Sequence, residues 1–174
     1  MPQYPIDVQY SSHTFEFRSK LPKLDMPPYP VADVSTVDGG SPDVFVDGEH
    51  VALSNGQLVR LTAANLGNFT MDQVYVTHGQ PGRADHAVAR SRPIVMDEPF
   101  RAETRLIDQG NVGNYAEGTR LRIGMVAFPK ADTAGLVPAL AGQEYIATVT
   151  GPAVTGTDGN VWIPVIYRKG IRAA

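Results

Sequence analysis

The chain has 174 residues and a formal net charge of −3, so its charge gives it no general attraction to nucleic acids or anionic membranes. It has no cysteine, which excludes a disulfide framework and a thiolate metal site. Only 19% of its residues are charged, below the ~25% usual in globular proteins, so the chain either covers part of its surface with a partner or exposes Gly, Pro, Ser and Thr instead.

The sequence shows no targeting or membrane segment. Its N-terminal residues lack the basic and then apolar form of a signal peptide, and no apolar stretch approaches the roughly 20 residues that span a bilayer. We therefore expect synthesis in a cytoplasm and no membrane partner.

Residues 1–42 form a distinct segment. They hold half of the fourteen prolines, which exclude long helices and central strands because proline lacks an amide donor and restricts the residue before it. Apolar side chains alternate with polar ones, as in a strand, at Ile6, Val8 and Tyr10 and again at Phe15 and Phe17, and Tyr4 is a further aromatic residue of the segment. The segment is also too apolar for an ordinary disordered tail. Two interpretations follow: a strand pair that folds on its own domain, or an extended arm that docks on a neighbouring subunit by adding a strand to a sheet edge.

Residues 43–174 are predicted to form a β-rich body. At its start, residues 44–62 (VFVDGEHVALSNGQLVRLT) contain three short apolar segments separated by Asp47-Gly48 and Asn55-Gly56. These dipeptides are typical of type I′ hairpin turns, which need a positive φ at both central residues. The stretch therefore predicts a three-stranded β-meander.

The middle of the chain predicts more short strands. Residues 63–69 are expected to form a single turn, residues 71–77 a strand, residues 86–92 a strand or an irregular crossing, and residues 93–96 a short apolar run. Residues 101–107 alternate between polar and apolar side chains, which predicts a strand with Arg101, Glu103 and Arg105 on its solvated face.

The last third is again mostly β in pattern. Residues 108–118 are loop material, residues 119–128 predict a central strand, and residues 131–141 predict one or two helical turns kept short by Gly135 and Pro138. Strands are predicted at 144–150, 153–155 and 161–167, the last one after a turn at 157–160. The fold class is therefore mainly β, a small antiparallel β-barrel or sandwich with an extended proline-rich N-terminal arm.

No catalytic or ligand-binding motif stands out. The four histidines, His13, His50, His78 and His86, lack metal-ligand spacing and are interpreted as surface or turn residues. Asp97 and Glu98 are adjacent, so on an extended chain they point to opposite faces and cannot share acid–base work. Residues 79–82 lack the lysine and helix start of a phosphate loop. The sequence thus predicts no catalytic residue, no metal and no cofactor.

Arginines recur along the strands predicted in the second half of the chain. If these strands are neighbours, their outward faces form a basic stripe at Arg83, Arg90, Arg92, Arg101, Arg105, Arg120 and Arg122. Acidic residues are interspersed, which disfavours nucleic-acid binding. The stripe is then either a salt-bridged solvated face or, less simply, a contact face for an acidic partner surface.

The layout resembles the capsid decoration, or cement, proteins of tailed bacteriophages. The resemblance lies in the proline-rich arm before a compact β body that opens with residues 48–61 (GEHVALSNGQLVRL). It also lies in residues 142–149 (GQEYIATV), which precede the Asp158-Gly159 turn and residues 162–166 (WIPVI).

This resemblance implies a non-enzymatic virion protein that binds the outer surface of the capsid and clamps neighbouring subunits of the major capsid protein. It implies a homo-oligomer, with a trimer favoured and a dimer as the alternative. The arm residues Tyr4, Ile6, Val8, Tyr10, Phe15 and Phe17 are then the predicted partner-binding residues. Burial of apolar side chains at ~25 cal/mol per Å² would supply the affinity, repeated over many sites on the shell.

Three other classes stay open at this point. A phage tail or baseplate component is also all-β and free of cysteine, but would assemble with sixfold symmetry. A small β-barrel enzyme would need converging polar residues. A carbohydrate-binding module would need exposed aromatic side chains, whereas the single tryptophan, Trp162, lies in a strand pattern that favours burial.

Overall fold

The structure, a computed structural model, describes residues 15–17, 29–30, 46, 48–78, 90–94 and 99–171. In these ranges the chain is mainly β, as the sequence predicts. The strands are β1 (Phe15–Phe17), β2 (Tyr29–Pro30), β3 (His50–Ser54), β4 (Gln57–Arg60), β5 (Val74–His78), β6 (Arg90–Ile94), β7 (Phe100–Thr104), β8 (Arg120–Val126), β9 (Thr133–Pro138), β10 (Glu144–Val149), β11 (Val154–Thr155) and β12 (Val161–Ile171).

The strands form two antiparallel sheets. The larger sheet has seven strands in the order β1-β7-β12-β10-β8-β9, with β11 paired to β12 beside this path. The smaller sheet has five strands in the order β2-β6-β5-β3-β4. The described strands form no closed barrel, since both strand orders are open paths.

One apolar core lies between the two sheets. Val74, Val76 and Ala52 come from the smaller sheet, and they pack with residues of the larger sheet in the same cluster. The contribution of the larger sheet includes Phe100, Ala102, Leu121, Ile123, Ile146, Val149, Ile163, Val165 and Tyr167, all of them buried. Because both sheets use the same core, the described strands form a single folded unit.

Three short 3₁₀ helices connect strands in the described ranges. They span Leu66–Asn68, Met71–Gln73 and Val112–Asn114. At the second one, Thr70 and Gln73 form a reciprocal capping box that leads the chain into β5. No helix in the described ranges has the length and apolar character needed to cross a bilayer.

The hairpin predicted at Asn55-Gly56 is confirmed, whereas the first strand predicted for the meander lies mostly outside the described residues, since of residues 44–47 only Val46 is described. Asn55 and Gly56 have φ angles of 51° and 73° and join β3 to β4, as a type I′ turn requires. The other neighbour of β3 is β5, which comes later in the chain. Val46 lies in a turn in which its carbonyl accepts a hydrogen bond from the Glu49 amide at 2.9 Å.

The helical turns predicted at 131–141 are a strand. Residues 133–138 form β9, which pairs with β8 over six positions. Its first four residues are all buried, so both faces of the strand are covered and the sequence shows no alternation. The strand predicted at 119–128 is confirmed as β8, an interior strand between β10 and β9.

The solvated side predicted for Arg105 is also wrong. The strand β7 ends at Thr104, and the next residues turn toward β9, where the Leu136 amide donates to the Leu106 carbonyl at 2.8 Å. This change of direction brings the side chain of Arg105 inward, and only 2% of it is exposed. Arg101, two positions before Glu103 on the regular part of the strand, is exposed as expected.

Candidate functional site

The best-defined feature that involves the N-terminal segment is a socket filled by Phe15. The strand β1 pairs antiparallel with β7, with Phe15 opposite Thr104, Glu16 opposite Glu103 and Phe17 opposite Ala102. Phe15 is 1% exposed. A segment predicted as an arm therefore supplies an edge strand of the larger sheet and one side chain of the core.

The wall of this socket comes from distant parts of the chain. The Phe15 ring lies 6.2 Å from the Tyr167 ring, and Tyr167 stacks on Phe100 at 4.7 Å. At the side, Gly48 has a φ of 81°, and a Cβ placed there would lie 2.5 Å from the Cβ of Phe15. Only glycine fits both the backbone conformation and the space at this position. We call Gly48, Phe100 and Tyr167 together the Phe15 socket.

The other predicted partner-binding residues are not part of this socket. Tyr4, Ile6, Val8 and Tyr10 lie outside the described residues. Phe17 has its backbone in β1, and its side chain lies outside the described part of the structure. Of the six, Phe15 is thus the one whose side chain is located, and it is buried inside its own domain.

A hydrogen-bonded histidine links the two sheets next to the socket. His50 of β3 is 1% exposed, and its Nδ1 lies 2.8 Å from the carbonyl oxygen of Ala134 in β9. Because a carbonyl only accepts, Nδ1 carries the proton and donates. Nε2 is then the acceptor for the Tyr167 hydroxyl, 3.1 Å away. Both ring nitrogens are engaged, so His50 acts as a neutral link and has no lone pair left for a metal ion.

Burial controls the ionisation of this link. Desolvation lowers the pKa of His50 to about 4, although the Ala134 carbonyl works in the opposite direction. Burial also raises the pKa of the Tyr167 hydroxyl, which keeps it a hydrogen-bond donor. The interpretation of His50 as a surface or turn residue is therefore wrong. No alternation in the sequence marks His50, because the consecutive residues His50, Val51 and Ala52 of β3 are all buried.

A buried carboxyl group lies beside His50 in the sequence. Glu49 is fully buried, and one carboxylate oxygen accepts from the Val46 amide at 2.9 Å while the other lies 3.6 Å from Nε of Arg60. Burial raises the pKa of Glu49, and the charge of Arg60 offsets this only in part. The Glu49 side chain thus closes the turn before β3 and links this turn, through Arg60, to the end of β4.

A buried arginine, Arg105, organises the loop after β7 and the turn between β11 and β12. The Arg105 guanidinium lies between two aromatic rings, 5.0 Å from the Phe128 ring centre and 5.1 Å from that of Trp162, and it forms an ion pair with Asp158. The Gln109 side chain donates to the carbonyl oxygens of Arg105 and Val161 at 3.0 and 2.9 Å. This Arg105 cluster holds the β11–β12 turn against the loop after β7.

The arginine stripe predicted from the sequence is divided by the strand order. The strands β7 and β8 are not neighbours, since β12 and β10 lie between them. Arg101 and Arg120 still share one row across the sheet through Ile166 and Thr148. Arg105 is buried and takes no part in this row.

Neither buried cluster has the arrangement of a reaction centre. Among the described residues, no group of three or more His, Asp or Glu side chains is placed to hold a metal ion. No family model matches the chain, and no curated protein matches it in sequence. The described feature that connects the N-terminal segment to the body is the β1 edge of the larger sheet.

Proposed function

We propose that this chain is a structural virion protein that binds the outer surface of a tailed-phage capsid and stabilises the head. In this proposal the two sheets form a sandwich-like body, and the first fourteen residues contact the shell. The supporting observation is that β1 fixes the arm to one edge of the larger sheet, with Phe15 as the anchor.

This observation divides the predicted arm into two parts with different roles. Phe15 belongs to the core of the body, so it is not a shell contact. Tyr4, Ile6, Val8 and Tyr10 precede β1 in the chain, and the last three of them alternate with Asp7 and Gln9. They are the residues proposed to bind the major capsid protein, and Pro2 and Pro5 reduce the entropy lost when such a segment becomes ordered.

The energetic basis of the proposed role is repetition. Each apolar side chain that leaves water on binding contributes a free energy of ~25 cal/mol per Å² of buried surface. A few such side chains per copy give one arm a modest affinity. An oligomer that places two or three arms on adjacent subunits multiplies this affinity, because the second arm binds at a high effective concentration. The homo-oligomer is thus part of the proposal.

The test is co-sedimentation of the purified full chain with shells assembled from the major capsid protein of the same genome, before and after shell expansion. We expect saturable binding by the natural chain. Replacing Tyr4, Ile6, Val8 and Tyr10 together by serine should abolish it. The matched control replaces Asp7 and Gln9, which alternate with these residues, and should bind as the natural chain does.

Two outcomes would contradict the proposal. The first is a natural chain that binds neither form of the shell. The second is a serine-substituted arm that still decorates shells at full occupancy. A natural chain that leaves the shell undecorated but forms sixfold rings in electron micrographs would instead support a tail or baseplate component.

A further inference from the structure

The contact of β1 with the body is one that β1 of another copy of the chain could form equally well. The contacts described for β1 include a three-residue pairing along the edge of β7 and the packing of one aromatic side chain in the Phe15 socket. All of the socket residues lie at position 48 or later in the chain. Neither the pairing nor the ring contact depends on which copy of the chain supplies β1.

The connection between β1 and the rest of the fold is long enough to reach another molecule. The strand β2, paired with β6 in the smaller sheet, is the next described strand along the chain. Residues 18–28 lie between them, and a chain of that length spans up to roughly 35 to 40 Å when extended. This connection contains three prolines, Pro22, Pro27 and Pro28, and proline as a residue type restricts the residue before it to extended conformations.

We propose that β1 is exchanged between copies of this chain, so that Phe15 of one copy fills the Phe15 socket of the next copy in a closed ring of two or three. Each socket is then filled and each sheet keeps its edge strand, which is the condition for a closed symmetric assembly. The partner at this edge is a second copy of the same chain. This inference goes beyond binding to a shell and is tested without one.

The balance between an internal and an exchanged strand is set by mass action. The contacts are the same in both forms, so their free energies differ mainly in chain entropy and in the local concentration of competing strands. A flexible connection gives an internal strand an effective concentration in the millimolar range. Copies that fold together at high concentration, or that lie side by side, bring a neighbouring strand to a similar concentration and permit exchange.

The experiment uses the absence of cysteine from the natural chain. Glu16 and Glu103 are directly opposite each other on β1 and β7, so cysteines at these positions form a disulfide only when the two strands are paired. Full-length Glu16→Cys and Glu103→Cys chains are mixed in equal amounts at high concentration, refolded together and oxidised. A covalent heterodimer on a non-reducing gel reports exchange.

For random mixing in a closed ring of two or three, about half of the chains should end in such heterodimers. The matched control mixes Arg122→Cys with Val137→Cys, which are opposite each other on β8 and β9 and lie within the body. That mixture should give only background heterodimer. Chemical denaturation of each single variant establishes that it folds before it is mixed.

Two results would overturn the inference. In the first, the mixture gives no heterodimer above the control, while the chain that carries both Glu16→Cys and Glu103→Cys forms an internal disulfide. In the second, that double variant forms no disulfide at all, so β1 is not paired with β7 in solution. Either result leaves shell binding untouched, so the two proposals fail separately.

A second measurement avoids the cysteines. In sedimentation equilibrium at the refolding concentration, the natural chain should have the mass of a dimer or trimer. Phe15→Ala should reduce this mass to that of a monomer, whereas Leu140→Ala, at an exposed site, should not. A natural chain that is monomeric at every concentration also overturns the inference.

Discussion

The Tyr167 hydroxyl donates a hydrogen bond to Nε2 of His50 over 3.1 Å, and this bond joins the longest strand of one sheet to an interior strand of the other. The same Tyr167 ring stacks on Phe100 and contacts Phe15. One side chain thus connects the polar link between the sheets to the socket that holds the N-terminal strand. Several measurable properties depend on this arrangement.

Phe15 is expected to be essential for the stability of the body. Phe15→Ala should lower the free energy of unfolding by about 3 to 5 kcal/mol, because it empties a fully buried aromatic site. Urea denaturation followed by circular dichroism measures this loss. Leu140→Ala, which shortens a side chain that is 64% exposed, should change the stability by less than about 0.5 kcal/mol. A similar small loss for Phe15→Ala would show that the socket is empty in solution.

Gly48 should tolerate substitution less well than a glycine in a similar conformation. Gly48→Ala combines the cost of a left-handed backbone, about 1 to 2 kcal/mol, with a steric clash against Phe15. Gly56→Ala is the control, since Gly56 has a φ of 73° but no atom within 4 Å of the new Cβ. The difference between the losses of unfolding free energy in Gly48→Ala and in Gly56→Ala measures the steric clash with Phe15. It should shrink when Phe15→Gly is also present, because the Cβ and the ring atoms of Phe15 that meet the new Cβ are then gone.

The His50 link predicts a loss of stability in mild acid. Its folded-state pKa of about 4 lies below the ordinary 6.5, so between these values the unfolded chain takes up a proton that the folded chain does not. Stability should therefore fall as the pH decreases from about 6.5 to 4, by up to about 3 kcal/mol from this group. Urea denaturation at a series of pH values gives the slope.

Glu49 acts in the opposite direction. Its pKa is raised in the folded state, so the folded chain takes up a proton at this carboxyl group more readily than the unfolded chain does. The contribution of Glu49 to stability therefore increases as the pH falls. The loss of stability in acid should consequently be steeper in Glu49→Gln and flatter in His50→Gln than in the natural chain. Equal slopes in all three proteins would contradict the assignment of His50 as a buried neutral link.

Arg105 should stabilise the loops through packing as well as charge. Arg105→Ala removes a buried guanidinium from between two aromatic rings and should cost about 3 kcal/mol or more. Trp162 is the single tryptophan, so its fluorescence reports directly on this cluster and should shift to longer wavelength as the ring becomes wetter. Arg101→Ala, on the exposed side of β7, should leave both the emission and the stability nearly unchanged.

The sequence predicted the strands that have a local signal. The type I′ turn at Asn55-Gly56 and the alternation along β8 depend on residues next to each other in the chain, and both are found in the structure. Residues whose environment comes from distant segments were missed. β9 is covered on both faces, so its composition resembled a helical turn, and Arg105 follows a change of direction that no alternation pattern marks.

The candidate site was predictable only in part for the same reason. Strand periodicity at Phe15 was visible in the sequence, but its position between Gly48 and Tyr167 depends on strand pairing across most of the chain. His50 and Glu49 carry no motif, because their partners Ala134, Tyr167 and Arg60 are neighbours only in the folded protein. Whether residues 1–14 bind a shell stays a prediction.

The order of synthesis gives the Phe15 socket a consequence for folding in the cell. β1 is translated before every other described strand, whereas Tyr167 lies in β12, the last described strand. The phenyl ring of Phe15 therefore lacks its complete socket until Gly48, Phe100 and Tyr167 have all been made. Docking of this strand is then a late step of folding, which follows synthesis of the other strands of the larger sheet.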